Sequence, residues 1–416
     1  MYDQFDLEQT ITDQKRRFIR QDTGIERKVD FERYNAHNGI VILSGIRRSG
    51  KSTLLGQFKR YYDHFGYINF DDDRLIDITP ADLQTLLTLI LKDDPDTTCF
   101  FFDEIQNVRG WERFIRRLHD EGYKIFVTGS NANLLSSELG THLTGRYVKI
   151  EVWPFSFLEI LDYKNISARD HSTHNHALML RELDCYLEKG GFPEFISYNE
   201  PEFVKRTYED ILYRDIVARY SIREVNALKN LGLYLMTNYT NEFSYNSLKQ
   251  VTGLKSDTSV RNFIKYFCDA YLFFECYRYE YSLKRQIQQA KKAYTIDSGM
   301  RNLLSLRFSK DLGRSLENQV FIELMRRGYD AWFFKGDGEC DFLVKDETGL
   351  LAIQVCSEVT RENHLREVSG LLEAAEKAGA YRGLIITLNQ RSIPDEWKQG
   401  AETFQVIPVW EWFTKN

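Results

Sequence analysis

GIVILSGIRRSGKSTLL, residues 39–55, is the stretch whose reading decides the fold. Ile40, Val41, Ile42 and Leu43 form an uninterrupted apolar run, as expected of a strand covered on both faces in a parallel sheet. A turn containing Gly45 and Gly50 follows, and Lys51, Ser52 and Thr53 open a helix-forming continuation. From Gly45 through Ile46, Arg47, Arg48, Ser49, Gly50 and Lys51 to Ser52 the chain satisfies G-x-x-x-x-G-K-[ST] at every fixed position, in the strand, loop and helix context that the motif needs. Backbone N–H groups of such a loop and of the helix behind it point at one place, so they cradle phosphates. Lys51 is expected to reach the β and γ oxygens and the Ser52 hydroxyl to ligate Mg²⁺, which makes residues 45–53 the candidate nucleotide site.

TTCFFFDEIQNV (97–108) adds a second buried-type strand, and its apolar run ends in Asp103 and Glu104. That is where acidic residues belong when the C-terminal end of a parallel strand faces a bound ligand. Asp103 is expected to hold Mg²⁺ through water, and Glu104 to orient and polarise the attacking water. YKIFVTGSNANLL (123–135) is a further strand whose end carries Ser130 and Asn131. A polar side chain there can touch the γ-phosphate or the lytic water, although Asn131 can equally cap a helix following it. LTGRYVKIEVWPFSFLE (143–159) places Arg146 at the mouth of another strand, where it can reach a neighbouring subunit's nucleotide or make an ordinary surface salt bridge.

The bulk properties limit what else the chain can be. At 416 residues it exceeds what one hydrophobic core usually organises, so roughly two to four domains are expected. With 43% hydrophobic residues, 14% aromatics and only 7 prolines, the composition is that of a folded soluble protein, neither disordered nor membrane-spanning. The N-terminus, MYDQFDLEQTITDQKRRFIR, lacks the apolar stretch of a secretory signal, and a cytoplasmic location is expected. Cys99, Cys185, Cys268, Cys276, Cys340 and Cys356 form no CxxC pair, so neither a zinc site nor a disulfide framework is indicated. HSTHNH (171–176) reads as a solvated loop, because no cysteine or carboxylate completes a ligand set at convincing spacing. A net charge of -6 offers no global field for phosphate backbones, so any nucleic-acid contact must come from local patches.

Taken together, the phosphate loop, YINFDDDRL (67–75), FFFDEIQNV (100–108), VTGSNANLL (127–135), LTGRY with PFSFLE, and GGFPE (190–194) resemble a prokaryotic AAA+ ATPase family. Its members join the ATPase to a C-terminal domain of unknown function that ends in a nuclease-like fold. The resemblance spans nearly the whole chain. It implies ATP hydrolysis with Mg²⁺, with Lys51, Ser52, Asp103 and Glu104 in the roles given above and Ser130 or Asn131 as sensor. By analogy with relatives it also implies a ring of subunits, a hexamer, in which Arg146 acts in trans. The expected architecture is α/β: an N-terminal helical segment (1–35), a P-loop AAA+ core (36–160), a helical lid (161–224), a winged helix (225–296) and a PD-(D/E)XK nuclease-like α/β domain (297–416).

Residues 225–296 read as helix, short helix, turn, longer helix and a β-like pair, the outline of a winged helix with Ser256 to Lys265 as the candidate recognition helix. Lys255, Arg261 and Lys265 are expected to meet phosphates, and Lys284, Arg285, Lys291 and Lys292 to sit on the wing; such modules also serve as protein–protein contacts. Beyond them, a helix bearing Glu317, a strand led by Glu339 and Asp341, and a second strand with Gln354 and Cys356 follow the layout of PD-(D/E)XK nucleases. In those enzymes clustered carboxylates bind Mg²⁺ and a lysine on the second strand positions water. Here Gln354 and Cys356 stand where an acid and that lysine are expected, so the scaffold reads as one kept for binding with cleavage lost, unless Lys335 or Lys345 substitutes. The expected work is ATP-driven remodelling or translocation of DNA, including branched DNA such as Holliday junctions. The rivals are a nucleotide-controlled signalling or defence switch acting through protein contacts, and an ATP-regulated metal-dependent nuclease.

Overall fold

The computed structural model describes residues 2–131, 143, 145–305, 311–398 and 404–415; the helix expected after Asn131 lies outside them. The chain divides into two compact units, Met1–Trp153 with Asp269–Tyr271, and Pro154–Cys268 with Leu272–Asn416.

The first unit is built on β1 (Ile40–Ser44), β2 (Phe65–Asn69), β3 (Cys99–Asp103), β4 (Lys124–Gly129) and β5 (Tyr147–Glu151), all parallel, in the order β2-β3-β4-β1-β5. β1 and β3 are apolar nearly throughout because both faces are covered, while β5 at the margin carries Lys149 and Glu151. Ile40, Ile42, Phe100, Phe102 and Val127 pack on one face with the helices Pro80–Asp93 and Trp111–Asp120. Val41, Leu43, Phe101 and Phe126 pack on the other with the helix Lys51–Lys59. The N-terminal helix Gln4–Arg20 belongs to this unit: Phe18 stacks on Tyr67 with ring centroids 3.9 Å apart. Gln14 donates to the Asn69 carbonyl at 3.1 Å and accepts from the Asn69 N–H at 2.8 Å, which completes the hydrogen bonding at the end of β2.

The second unit begins with the helices Phe157–Tyr163, Thr173–Lys189, Pro193–Tyr198 and Pro201–Asp210. HSTHNH is not wholly a loop: Ser172 caps the helix that starts at Thr173, and His171 and His174 stand exposed there. Among the described residues no group of three or more His, Cys, Asp or Glu is arranged to hold a metal, no disulfide joins the cysteines, and no helix is long and apolar enough to cross a membrane.

Three helices follow, Val225–Thr237, Tyr245–Thr252 and Asp257–Asp269, with β6 (Glu242–Phe243), β7 (Phe273–Arg278) and β8 (Lys291–Thr295) pairing antiparallel as β7-β8-β6. The helix Leu312–Arg326 then leads into β9 (Asp330–Lys335), β10 (Glu339–Lys345) and β11 (Leu350–Val355), and the helix His364–Ala378 into β12 (Arg382–Thr387) and β13 (Phe404–Pro408). β9, β10 and β11 form an antiparallel meander, while β12 and β13 add in parallel. A parallel pairing of β7 with β9, through Tyr277 opposite Trp332 and Arg278 opposite Phe333, joins both groups into one sheet of eight strands, β13-β12-β11-β10-β9-β7-β8-β6. One expectation is corrected at once. Lys291 and Lys292 are not on an exposed wing but inside β8, 3% and 4% exposed, because this strand is covered on both faces.

Candidate functional site

The phosphate loop runs from the end of β1 into the helix Lys51–Lys59, and close packing fixes its glycines. A Cβ on Gly45 would sit 2.1 Å from the Val152 carbonyl oxygen, so only glycine fits there. Arg48 and Gly50 adopt left-handed backbone, with φ of 63° and 96°, and turn the loop into the helix. The buried Lys51 ammonium donates to the carbonyls of Gly45 at 3.2 Å and Ile46 at 3.1 Å, so it lies over the loop it serves. Arg27, which the sequence reading did not single out, braces the loop by donating to the Ser49 carbonyl at 3.3 Å and the Trp153 carbonyl at 2.6 Å.

Because β4 lies between β3 and β1, the C-terminal ends of all three strands meet the loop at one edge of the sheet. Asp103 is fully buried there; burial first, and the neighbouring Glu104 charge second, push its carboxyl above the ordinary range, against hydrogen bonds from Thr128 and Ser52 and the charge of Lys51. The contact with Ser52 brings together the two residues expected to share Mg²⁺, and a hydroxyl beside a carboxylate is an all-oxygen donor set suited to that ion. Glu104 holds a left-handed conformation at φ 53°, which is strained for a non-glycine residue. Its N–H donates to Thr128 Oγ1 at 2.9 Å, Thr128 in turn donates to Asp103 Oδ1, and Gln106 donates to Glu104 Oε2. Thr128, Gln106 and Tyr67, whose hydroxyl donates to Asp103 Oδ2 at 3.4 Å, were all missed from sequence. Ser130 and Asn131 are buried just beyond the end of β4, and among the described residues the Ser130 hydroxyl has no hydrogen-bond partner.

An open cleft of about 1160 Å³ reaches Ser52 and Asp103 and is walled on one side by Arg16, Arg17 and Arg20 of the N-terminal helix. Arg146 is elsewhere. It precedes β5 at the level of Ile40, whose N–H donates to the Arg146 carbonyl, whereas the phosphate loop follows Ser44 at the other end of β1. The five-residue strand separates them by roughly 15 Å. The guanidinium pairs with Asp120 at 2.7 Å.

In the second unit the expected basic residues divide. Lys255, Arg261, Lys265, Lys284 and Arg285 are exposed, with the Arg261 guanidinium over the Tyr245 ring at 4.2 Å. Lys291 donates to the Ile287 and Gln289 carbonyls and lies over the Tyr245 and Tyr277 rings. Lys292 meets the acidic residues of the nuclease-like layout: its ammonium lies 2.7 Å from Glu339, 3.3 Å from Glu317 and 3.7 Å from Asp341. Lys335 pairs instead with Glu242, and Lys345 stands exposed at the far end of β10, so neither supplies the missing lysine. Gln354 accepts from the Asp341 N–H at 3.3 Å and donates to Glu367 at 2.7 Å. Cys356 packs in the apolar cluster under the helix His364–Ala378, where burial pushes its thiol well up.

Residues 37–161 match the family model described as an AAA domain, and residues 180–311 match one described as a domain of unknown function, DUF8612. The uncharacterized protein MJ1544 of Methanocaldococcus jannaschii is 38% identical over 394 residues, which cover 90% of this chain and 88% of that protein. The chain belongs to the MJ1544 family. An uncharacterized protein of Haemophilus influenzae is 32% identical over 365 residues, covering 84% of this chain and 88% of its own. Among solved structures, Cdc6p from Pyrobaculum aerophilum covers 62% of this chain and 90% of its own at 12% identity and a TM-score of 0.30, too distant to argue from. Within this MJ1544-family chain the AAA match contains the phosphate loop, Asp103, Glu104, Thr128 and Arg146. The acidic residues from Glu317 onward lie beyond both matched segments.

Proposed function

We propose that this AAA-domain protein hydrolyses ATP and uses the cycle to remodel or move along DNA, with a nuclease-like domain that grips without cutting. The observation that carries the ATPase reading is the convergence of Gly45–Ser52, Asp103, Glu104 and the unpartnered Ser130 hydroxyl at one sheet edge. In this reading the loop N–H groups and Lys51 bind the β- and γ-phosphates, and Ser130 or Asn131 contacts the γ-phosphate or the water. Glu104, held by Gln106 and by the Thr128 hydroxyl, orients the attacking water and takes its proton. Ser52 and Asp103 would hold Mg²⁺, which neutralises the charge between the phosphates.

The DNA side rests on different features. The helix order Val225–Thr237, Tyr245–Thr252, Asp257–Asp269 with its three-stranded sheet suits a winged helix, and Lys255, Arg261, Lys265, Lys284 and Arg285 leave its surface basic. The succession of helix, β9, β10, β11, helix and β12 suits the nuclease-like layout, while neutral Gln354 and the buried Cys356 argue against cutting. A ring of subunits, a hexamer by analogy, gives Arg146 a phosphate to meet, because it has none within reach in its own first unit. On this reading the lid corresponds to 161–224, the winged helix to 225–296 and the nuclease-like domain to 297–416.

The test is turnover by the purified full chain. Lys51→Ala should abolish nucleotide binding or hydrolysis, whereas Glu104→Gln should retain ATP and turn it over at least about a hundredfold more slowly. Hydrolysis by Glu104→Gln at the wild-type rate sinks the assignment. Junction, duplex and single-stranded DNA are then compared as activators. Stimulation that weakens in Lys284→Gln/Arg285→Gln and with added salt supports DNA as the partner, and no stimulation by any of them points to the protein-contact switch.

A further inference from the structure

The missing lysine of the nuclease-like layout has a counterpart that arrives from another strand. Lys292 belongs to β8, outside the meander that carries Glu339 and Asp341, and it reaches them because β7 and β9 pair and hold β8 in the same sheet. The helix Leu312–Arg326 supplies Glu317 to the same place. An ammonium has three donors, and three carboxylates lie within 3.7 Å of this one. The surrounding acceptors are occupied as well: Tyr294 donates to Glu317 Oε1 at 2.7 Å and the Val355 N–H to Asp341 Oδ2 at 2.8 Å. Gln354 is engaged by Glu367 and the Asp341 N–H, so its amide is already committed.

We propose that the Lys292 ammonium is the resident cation of the Glu317, Glu339 and Asp341 cluster, standing where a cutting nuclease would hold its divalent metal. Like charges gathered around the buried Asp341 and partly buried Glu317 need a positive partner, and a covalently tethered one cannot be lost or chelated. The charges agree with this role. Burial alone would lower the Lys292 pKa, yet Glu317, Asp341 and Glu339 hold it well above the ordinary lysine value, while burial and the Glu317 charge raise the Asp341 carboxyl. The inference deepens the non-cutting reading and rests on it.

The experiment uses the nucleotide-free full chain and Mn²⁺, followed by electron paramagnetic resonance and by the shift in melting temperature. Wild type is expected to show no Asp341-dependent Mn²⁺ site. Lys292→Met, which keeps an unbranched side chain one atom shorter and removes the charge, should bind one Mn²⁺ at least about tenfold more tightly, melt higher in its presence, and lose both effects when Asp341→Asn is added. A wild-type Mn²⁺ site that disappears with Asp341→Asn overturns the proposal, as does a folded Lys292→Met with no gain in affinity. If Lys292→Met does not fold, the wild-type titration against Asp341→Asn decides alone. ATP turnover measured on the same wild-type preparation keeps the two readings separate, since its loss speaks against the ATPase and leaves the Mn²⁺ result standing.

Discussion

A single hydroxyl ties the acidic end of β3 to the strand beside it. Thr128 donates to Asp103 and accepts from the Glu104 N–H, so Thr128→Val leaves a buried acceptor and a buried donor unsatisfied, costing about 1–3 kcal/mol for each group. The predicted outcome is turnover reduced at least about tenfold, with nucleotide affinity changed less than about threefold, because the loop and Lys51 are untouched. Single-turnover hydrolysis beside a fluorescent-nucleotide titration checks it, and equal losses in both would place Thr128 in binding instead. That Lys51, Ser52, Asp103 and Glu104 come together at one end of the sheet was legible because each stands at a fixed place in one short segment. Thr128, Gln106 and Arg27 were not, because what they do depends on which strand or loop lies opposite. Lys291 and Lys292 were misread for the same reason: next to Gln288, Gln289 and Ala290 they look like a solvated wing, and only the sheet order buries them.

At the scale of elements, GGFPE acquires a physical meaning that its use as a family resemblance lacked. Gly190 turns at φ 73°, where a Cβ would meet the Asp297 carboxylate at 2.1 Å, and the Gly191 carbonyl accepts from the Phe155 N–H at 2.7 Å. Asp297 accepts from the N–H groups of Gly191 at 2.6 Å and Met300 at 2.8 Å, so its carboxylate ties the glycine turn to the start of its own helix, and Phe155 joins them through Gly191. Burial raises its pKa to about 6 against those hydrogen bonds. The folded state therefore holds this proton more tightly than the unfolded chain, whose value is about 3.9. The stabilisation is fully present below pH about 4, declines as the pH rises through about 6, and amounts to about 3 kcal/mol at most. The difference in melting temperature between wild type and Asp297→Asn should accordingly shift in the variant's favour between pH 4 and 7; a difference that stays flat across that range refutes the assignment. The central strands β1 and β3 were legible because each is a nearly unbroken apolar run, whereas β5, YVKIE at the sheet margin, carries Lys149 and Glu151. The parallel pairing of β7 with β9 was not, since nothing in either segment specifies a partner more than fifty residues away.

For the whole molecule, the decisive relation is between two ends of one strand. The loop sits after β1 and Arg146 before β5, so any part Arg146 plays in hydrolysis would be on another copy of the chain. Arg146→Ala should bind ATP normally and fail to hydrolyse it, and mixing it with Lys51→Ala should restore part of the activity at interfaces pairing an intact loop with an intact arginine. Assemblies verified to contain both variants yet giving no recovery would return Arg146 to its salt bridge with Asp120. The eight-stranded sheet carries a different implication. With strands about 4.8 Å apart, it extends roughly 34 Å from β6 to β13 as one hydrogen-bonded plate. Tension applied across it from the β6 margin would load the backbone hydrogen bonds between β7 and β9 along their own direction, and would not be absorbed by a slack tether. A partner pulled at one margin of that plate therefore drags the other with it.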